Sequence, residues 1–183
     1  DLAALLTRAG FEVEAILDSR AQFHQVVVGH ILEKDKHPNA DKLTVCRVTT
    51  GQNQVHQIVC GAQNHKVGDR VVLALPGAVL PGGLAIKKSS LRGVESGGML
   101  CSFKELGLEG PSDGIAILDD KASVGKPFAE VWGLDDVIFE LKVTPNRADG
   151  LSHYGLAREI GALLNRKMRG SLADILGEKG TAS

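Results

Sequence analysis

Aromatic residues are scarce. The 183 residues hold five Phe, one Trp and one Tyr, and between Gln25 and Asp120 Phe103 stands alone. Surfaces that hold single-stranded nucleic acid stack successive bases on aromatic rings, so the long central part of this chain lacks that platform. Cysteine is nearly absent too. Cys46, Cys60 and Cys101 sit singly in apolar surroundings, form no C-x-x-C pair and are odd in number. That does not suit a disulfide framework and fits a reducing, cytoplasmic setting. No apolar run approaches bilayer length, and Asp1-Leu2-Ala3-Ala4-Leu5 lacks the basic start of a signal peptide, so a soluble chain without a membrane partner is expected. The motifs G-x-x-x-x-G-K-[ST], H-E-x-x-H, G-x-S-x-G and G-x-G-x-x-G are all missing. None of the six histidines has a Cys or carboxylate at metal-ligand spacing, and His30 and His56 read as ordinary strand residues. No catalytic residue, metal site or cofactor is therefore predicted within this chain.

Charge of one sign is not in excess, since the formal net charge is −1. That argues against a protein gripping nucleic acid over its whole surface. The distribution is uneven, however. Residues 29–104 carry ten Lys or Arg against five Asp or Glu, whereas residues 105–140 carry two against nine. A positive face can exist on a neutral protein.

The chain opens inside what reads as a helix, with Leu2, Leu5 and Leu6 on one face over residues 2–9 and Gly10 as its C-terminal cap. It has no initial Met, which suggests that something upstream is missing. Phe11-Glu12-Val13-Glu14-Ala15 alternates as a half-buried strand does, and the pattern returns in Val137 to Val143, so these two strands are expected to pair. Between them lie short β-branched runs near residues 25–32, 43–49, 57–60, 70–75, 98–101 and 115–118, separated by turn residues. Five or six such strands without a long helix predict a small barrel, and a barrel whose ends lie close together can be inserted into a host domain. After Pro145-Asn146-Arg147-Ala148-Asp149-Gly150, with Asp149 or Ser152 as cap, Leu156, Ala157, Ile160, Leu163 and Leu164 form an apolar helical stripe. Arg166 and Lys167 are placed near its negative end. The expected class is α+β, mostly β: a barrel at 22–132 within a discontinuous small α/β domain at 1–21 and 133–170, followed by a weakly packing tail at 171–183.

Three segments could carry binding. In His37-Pro38-Asn39-Ala40-Asp41-Lys42-Leu43, Pro38 keeps His37 extended, Asn39 and Asp41 can bond local backbone, and Lys42 is presented as the next strand begins. The same residues make an ordinary hairpin corner. Ile86 to Met99 gathers Lys87, Lys88 and Arg92 with hydroxyls and Gly-rich backbone, which offers phosphates both charge and N–H groups, or is simply a solvated loop. Gly61-Ala62-Gln63-Asn64 could show amide side chains to RNA, or be a tight turn. These loops matter together only if the barrel gathers them. Without aromatics, recognition should read the shape and backbone of a folded RNA.

The segments VVVGHILEKDKHPNADKLTVCRV, QIVCGAQN, VVLALPGAVLPGG, IKKSSLRGVESGGMLCSFKELGL and GIAIL, in that order, closely resemble the tRNA-binding domain shared by several aminoacyl-tRNA synthetases and by free-standing tRNA-binding proteins. The resemblance implies a five-stranded OB-fold barrel. The flanks AGFEVEAIL and FELKVTPNRADGLSHYGLAREIGALL look like the β subunit of bacterial phenylalanyl-tRNA synthetase, in which such a barrel interrupts a small α/β domain. That likeness runs from Asp1 to about Lys167. It implies an (αβ)₂ ligase that attaches phenylalanine to tRNA with ATP and magnesium, its catalytic site lying in the α subunit. Roughly two dozen residues of the family ahead of Asp1, and everything after about Lys167, have no counterpart, so this piece alone is expected to be inactive. Charge and loop position nominate Lys42, Asn64, Lys87, Lys88 and Arg92 as nucleic-acid contacts. The alternatives are a free-standing tRNA-binding protein and a subunit-packing module that does not touch RNA.

Overall fold

A computed structural model of the chain describes residues 1–111 and 113–170. The predicted tail at 171–183 lies outside the described residues. In chain order the elements are α1 (Leu2–Arg8), β1 (Glu12–Asp18), a 3-10 turn (Ser19–Phe23), β2 (Val26–Lys36), β3 (Thr44–Gly51), β4 (Gln54–Cys60) and β5 (Arg70–Ala74). Then come β6 (Ser89–Leu91), β7 (Val94–Ser96), β8 (Met99–Leu100), β9 (Ile117–Leu118), α2 (Phe128–Trp132), β10 (Val137–Lys142), a 3-10 stretch (Pro145–Leu151) and α3 (His153–Leu163). They form two compact units, one of residues 18–136 and one that joins residues 1–17 to residues 137–170.

In the larger unit the strands run β4-β3-β2-β5-β8, with β9 also on β5, and each of these neighbours pairs antiparallel. β5 shows why the sequence folds this way. Its residues Val71 to Ala74 are all fully buried, because the strand is covered on both faces. Val71 and Leu73 join Ile31, Cys46, Val48, Ile58 and Leu100 in one core, while Val72 and Ala74 join Val26, Val28, Phe103 and Phe128 in a second. The first core fills the barrel and the second seals its outside with α2. Each fully buried Val or Leu contributes about 1.5–3 kcal/mol to this arrangement. The aromatics go to the outer core. Phe23 meets Phe128 edge-on at 5.4 Å, and Trp132 lies 5.6 Å from Phe128 and 5.3 Å from Phe103.

The two edges of the sheet meet. Gly97 N–H donates to the Gln57 carbonyl at 2.8 Å, the Gln57 side chain donates to the Glu95 carbonyl at 2.8 Å, and Val59 N–H donates to Ser96 Oγ at 3.1 Å. These bonds tie β4 to the segment entering β8 and curl the sheet into an OB-fold-like barrel. The chain passes so close there that a Cβ on Gly98 would sit 2.5 Å from the Ala74 carbonyl oxygen.

Two strands run further than their apolar pattern indicates. β2 continues to Lys36 because its register shifts between Ile31 and Glu33, and beyond that bulge its polar residues pair with Thr44 to Arg47. Glu33 and Arg47 face each other there at 3.5 Å. β4 begins at Gln54 because Gln52 and Asn53, with φ of 48° and 60°, make a two-residue turn that matches strand twist.

In the smaller unit β1 pairs with β10. α1 ends as expected at Gly10, whose φ of 90° lets its N–H reach the Thr7 carbonyl and the Phe11 N–H reach that of Leu6. Arg147 organises this unit. Its guanidinium donates to the Ala9 carbonyl at 2.8 Å, lies 4.3 Å from the centre of the buried Phe11 ring, and pairs with Asp149 and Glu159. The hydrogen bond from Arg147 holds the Asp149 carboxyl below its usual range. Ser152 caps α3 by accepting from Gly155 N–H at 3.0 Å. α3 stops at Leu163 and Asn165 turns the chain with a φ of 50°, so Arg166 and Lys167 follow the helix rather than close it. Among the described residues no helix is long and apolar enough to cross a membrane.

Candidate nucleic-acid interface

The segment from Ile86 to Met99 reads in sequence as a Gly-rich loop, but residues 77–96 form two successive hairpins. In the first, Gly77 and Ile86 exchange backbone bonds with partners across the turn and Val79 bridges Ala85. In the second, β6 pairs with β7, Ser89 opposite Ser96 and Leu91 opposite Val94. The signal for it is Arg92-Gly93. Both have positive φ, 51° and 87°, which makes the two-residue turn that matches the twist of its strands and favours glycine at the second place. Apolar alternation is missing because all of β6 is exposed.

The turn at His37 to Leu43 docks onto the tip of this ribbon. His37 is only 5% exposed. Its Nδ1 accepts from Asn39 N–H at 3.1 Å, so its Nε2 carries the proton and donates to the Leu91 carbonyl at 3.0 Å. Asn39 Nδ2 donates to the Arg92 carbonyl at 3.1 Å. The third loop joins on the other side, where Gln63 Nε2 donates to the Lys42 carbonyl at 3.2 Å. Hydrogen bonds thus link the three segments singled out in the sequence, with His37, Asn39 and Gln63 as the linking side chains. Sequence reading passes over these roles because each depends on a residue 21 to 54 positions away.

Each nominated cation is placed by this framework. Lys42 lies in the turn, Lys87 and Lys88 at the base of the ribbon and Arg92 at its tip, and all four are exposed. Among the described residues none of the four forms an ion pair with a carboxylate. Lys87 faces a cavity of about 600 Å³ and Lys88 faces another of about 860 Å³, with Ser89 lining both. The ribbon therefore separates two hollows with a lysine toward each.

Asn64 does something else. Its Nδ2 donates to the Ile115 carbonyl at 2.9 Å and its Oδ1 accepts from Ile115 N–H at 3.0 Å. The amide is bonded at both ends, so this exposed residue clasps two parts of the barrel. The neighbouring His65 anchors the same loop. It is 3% exposed, with Nε2 at 3.3 Å from Cys46 Sγ and 3.4 Å from Thr44 Oγ1, and Lys34 Nζ donates to its carbonyl at 2.6 Å. Burial, reinforced by Lys34, lowers the His65 pKa and favours the neutral ring. The thiols of Cys46, Cys60 and Cys101 are raised by burial, that of Cys101 to about 12, which makes them inert packing groups.

Residues 26–127 match the family model described as "Putative tRNA binding domain". The chain is 67% identical over 168 residues to the phenylalanine–tRNA ligase β subunit of Bdellovibrio bacteriovorus, covering 92% of this chain and 21% of that protein. It is 51% identical over 175 residues to the phenylalanine–tRNA ligase β subunit of Fusobacterium nucleatum, covering 96% of this chain and 22% of that one. The chain thus spans about one fifth of the length of the curated relatives it matches. Among solved structures, the C-terminal domain of Plasmodium vivax p43 aligns with 25% identity and a TM-score of 0.43 over 60% of this chain and 61% of that one. The match to residues 26–127, which covers the barrel together with the docked turn and ribbon, means that this chain belongs to the tRNA-binding domain family.

Proposed function

We propose that the barrel binds tRNA through the β6–β7 ribbon and the loops bonded to it, within the β subunit of a phenylalanine–tRNA ligase. One observation carries the reading: Lys42, Lys87, Lys88 and Arg92, exposed and without carboxylate partners among the described residues, sit on one hydrogen-bonded framework. Fixed cations of this kind suit phosphates whose spacing is fixed by a folded RNA. Asn64 contributes by holding its loop rather than by touching RNA. The smaller unit is the host domain that the barrel interrupts.

In the whole ligase the β subunit pairs with an α subunit as an (αβ)₂ heterotetramer in the cytoplasm, and ATP and magnesium drive aminoacylation. Among the described residues no group of three or more His, Cys, Asp or Glu is placed to hold a metal ion. The role of the barrel is to bind and orient tRNA.

Titrating tRNA against the wild type and a Lys87→Ala, Lys88→Ala, Arg92→Ala variant at several salt concentrations tests this. Wild-type binding is expected to be weak and salt-sensitive. The variant is expected to lower the slope of log affinity against log salt by about 2 to 3, one ion release per lost phosphate contact. Equal affinity and slope for both proteins would overturn the reading in favour of a packing module.

A further inference from the structure

We infer that the cavity on the Lys87 side of the ribbon takes a single unstacked nucleotide of the bound RNA, one whose base carries an exocyclic amino group. The inference rests on the RNA-binding reading above and names which part of the RNA this hollow receives. Its volume of about 600 Å³ lies in the range of small-ligand pockets and cannot admit a stacked duplex. Its walls divide by chemistry. Leu84, Leu91 and Met99 form an apolar side, with Leu84 49% and Leu91 40% exposed at the mouth. Such side chains cover a base face where aromatic rings are lacking, and the Met thioether adds a polarisable contact. Lys87 and Lys104 supply two cations for the phosphate.

Glu105 supplies the selectivity. Its Oε2 accepts from both Ser102 N–H and Ser102 Oγ, each at 2.7 Å, while Glu105 N–H donates back to Ser102 Oγ at 3.2 Å. This reciprocal pair fixes the carboxylate, and no described protein donor reaches Oε1. An ionised carboxylate only accepts, so Oε1 calls for a donor. The amino groups of adenine, cytosine and guanine provide one on the base edge, whereas uracil has no exocyclic amino group and offers only its ring N3–H between two carbonyls. Those flanking carbonyls are repelled by the carboxylate, which weakens the uracil complex without forbidding it. The His37 bond to the Leu91 carbonyl holds the ribbon side of the cavity in place and keeps the pocket open before RNA arrives.

The experiment titrates AMP, CMP, GMP and UMP separately into the ¹⁵N-labelled 183-residue chain. Saturable shifts are expected for amides of residues 84–91 and 98–105, with UMP about tenfold weaker than AMP, the effect of one charge-assisted hydrogen bond. Leu84→Asp, a change at a half-exposed site, is expected to remove AMP binding. Glu105→Gln keeps the bonds to Ser102 and can turn a donor to the base, so the AMP-to-UMP ratio should fall to within twofold. Equal affinity for UMP, shifts confined to the Lys88 side, or no saturable shift would overturn the pocket. If tRNA binding still depends on Lys87, Lys88 and Arg92 in that event, only the pocket fails. If it does not, the ribbon reading fails as well.

Discussion

Replacing Asn64 by Ala separates a structural clasp from an RNA contact. The side chain makes two bonds to one backbone unit, 2.9 Å to the Ile115 carbonyl and 3.0 Å from the Ile115 N–H, and Ile115 is 7% exposed. Losing two neutral hydrogen bonds costs about 1 kcal/mol each, and leaving a buried N–H and carbonyl unpaired adds about 1–3 kcal/mol apiece when water cannot reach them. Asn64 itself lies on the exposed side, so water will reach part of the gap and the sum settles at roughly 2–4 kcal/mol. Urea unfolding followed by Trp132 fluorescence reads this directly, because the single Trp packs on Phe103 and Phe128 within the same unit. Asn64→Asp retains the acceptor for Ile115 N–H but sets an anion against the carbonyl. Its destabilisation should shrink below about pH 4, where a protonated carboxyl can donate. At urea-free conditions the folded Ala variant should bind tRNA within twofold of wild type. A stability loss under about 1 kcal/mol together with a tenfold loss of tRNA affinity would refute the clasp and return Asn64 to the RNA face.

His37→Ala should free the ribbon, speeding amide exchange across residues 89–96 and lowering stability by about 1–3 kcal/mol; unchanged exchange would show that the clamp holds nothing. Gly98→Ala should cost about 2 kcal/mol or more, since its Cβ would press on the Ala74 carbonyl, a backbone atom that cannot turn aside, and a thermal midpoint equal to wild type would contradict the close approach. Alkali should destabilise the barrel. The folded state keeps the Cys101 proton up to a pKa of about 12 while the unfolded thiol releases it near 9.0, so the contribution is complete below pH 9.0 and is lost as pH rises toward 12. The loss is about 1 kcal/mol per pH unit from this group, with Cys46 and Cys60 acting in the same direction. Urea midpoints between pH 8 and 10.5 should fall more steeply in the wild type than in Cys101→Ala, and equal slopes would remove Cys101 as the cause.

The composition of the ribbon's first strand follows from its exposure. All of β6 is exposed, so its residues are chosen for solubility and charge instead of burial, and its register rests on the Arg92-Gly93 turn and on two side chains from another loop. A hairpin of this length is marginal on its own. Docking against the His37 turn is what lets it hold cations at fixed positions.

The amino-acid sequence by itself determined the barrel strands, because apolar runs interrupted by Gly, Pro, Asn and Asp leave few other folds, and it determined the pairing of the strand after Phe11 with the one after Asp136. The exposure of Lys42, Lys87, Lys88 and Arg92 was legible there too, since solvated Lys and Arg need no partner to be recognised. Only the tertiary structure decided what the polar side chains do. Nothing local distinguishes Asn64, which clasps Ile115, from Asn39, which reaches Arg92, or marks His37 as a buried donor to Leu91. The physical reason is the range of the signal. Burial periodicity is written in neighbouring residues, whereas these hydrogen bonds join residues 51 to 54 positions apart and exist only once the barrel has closed.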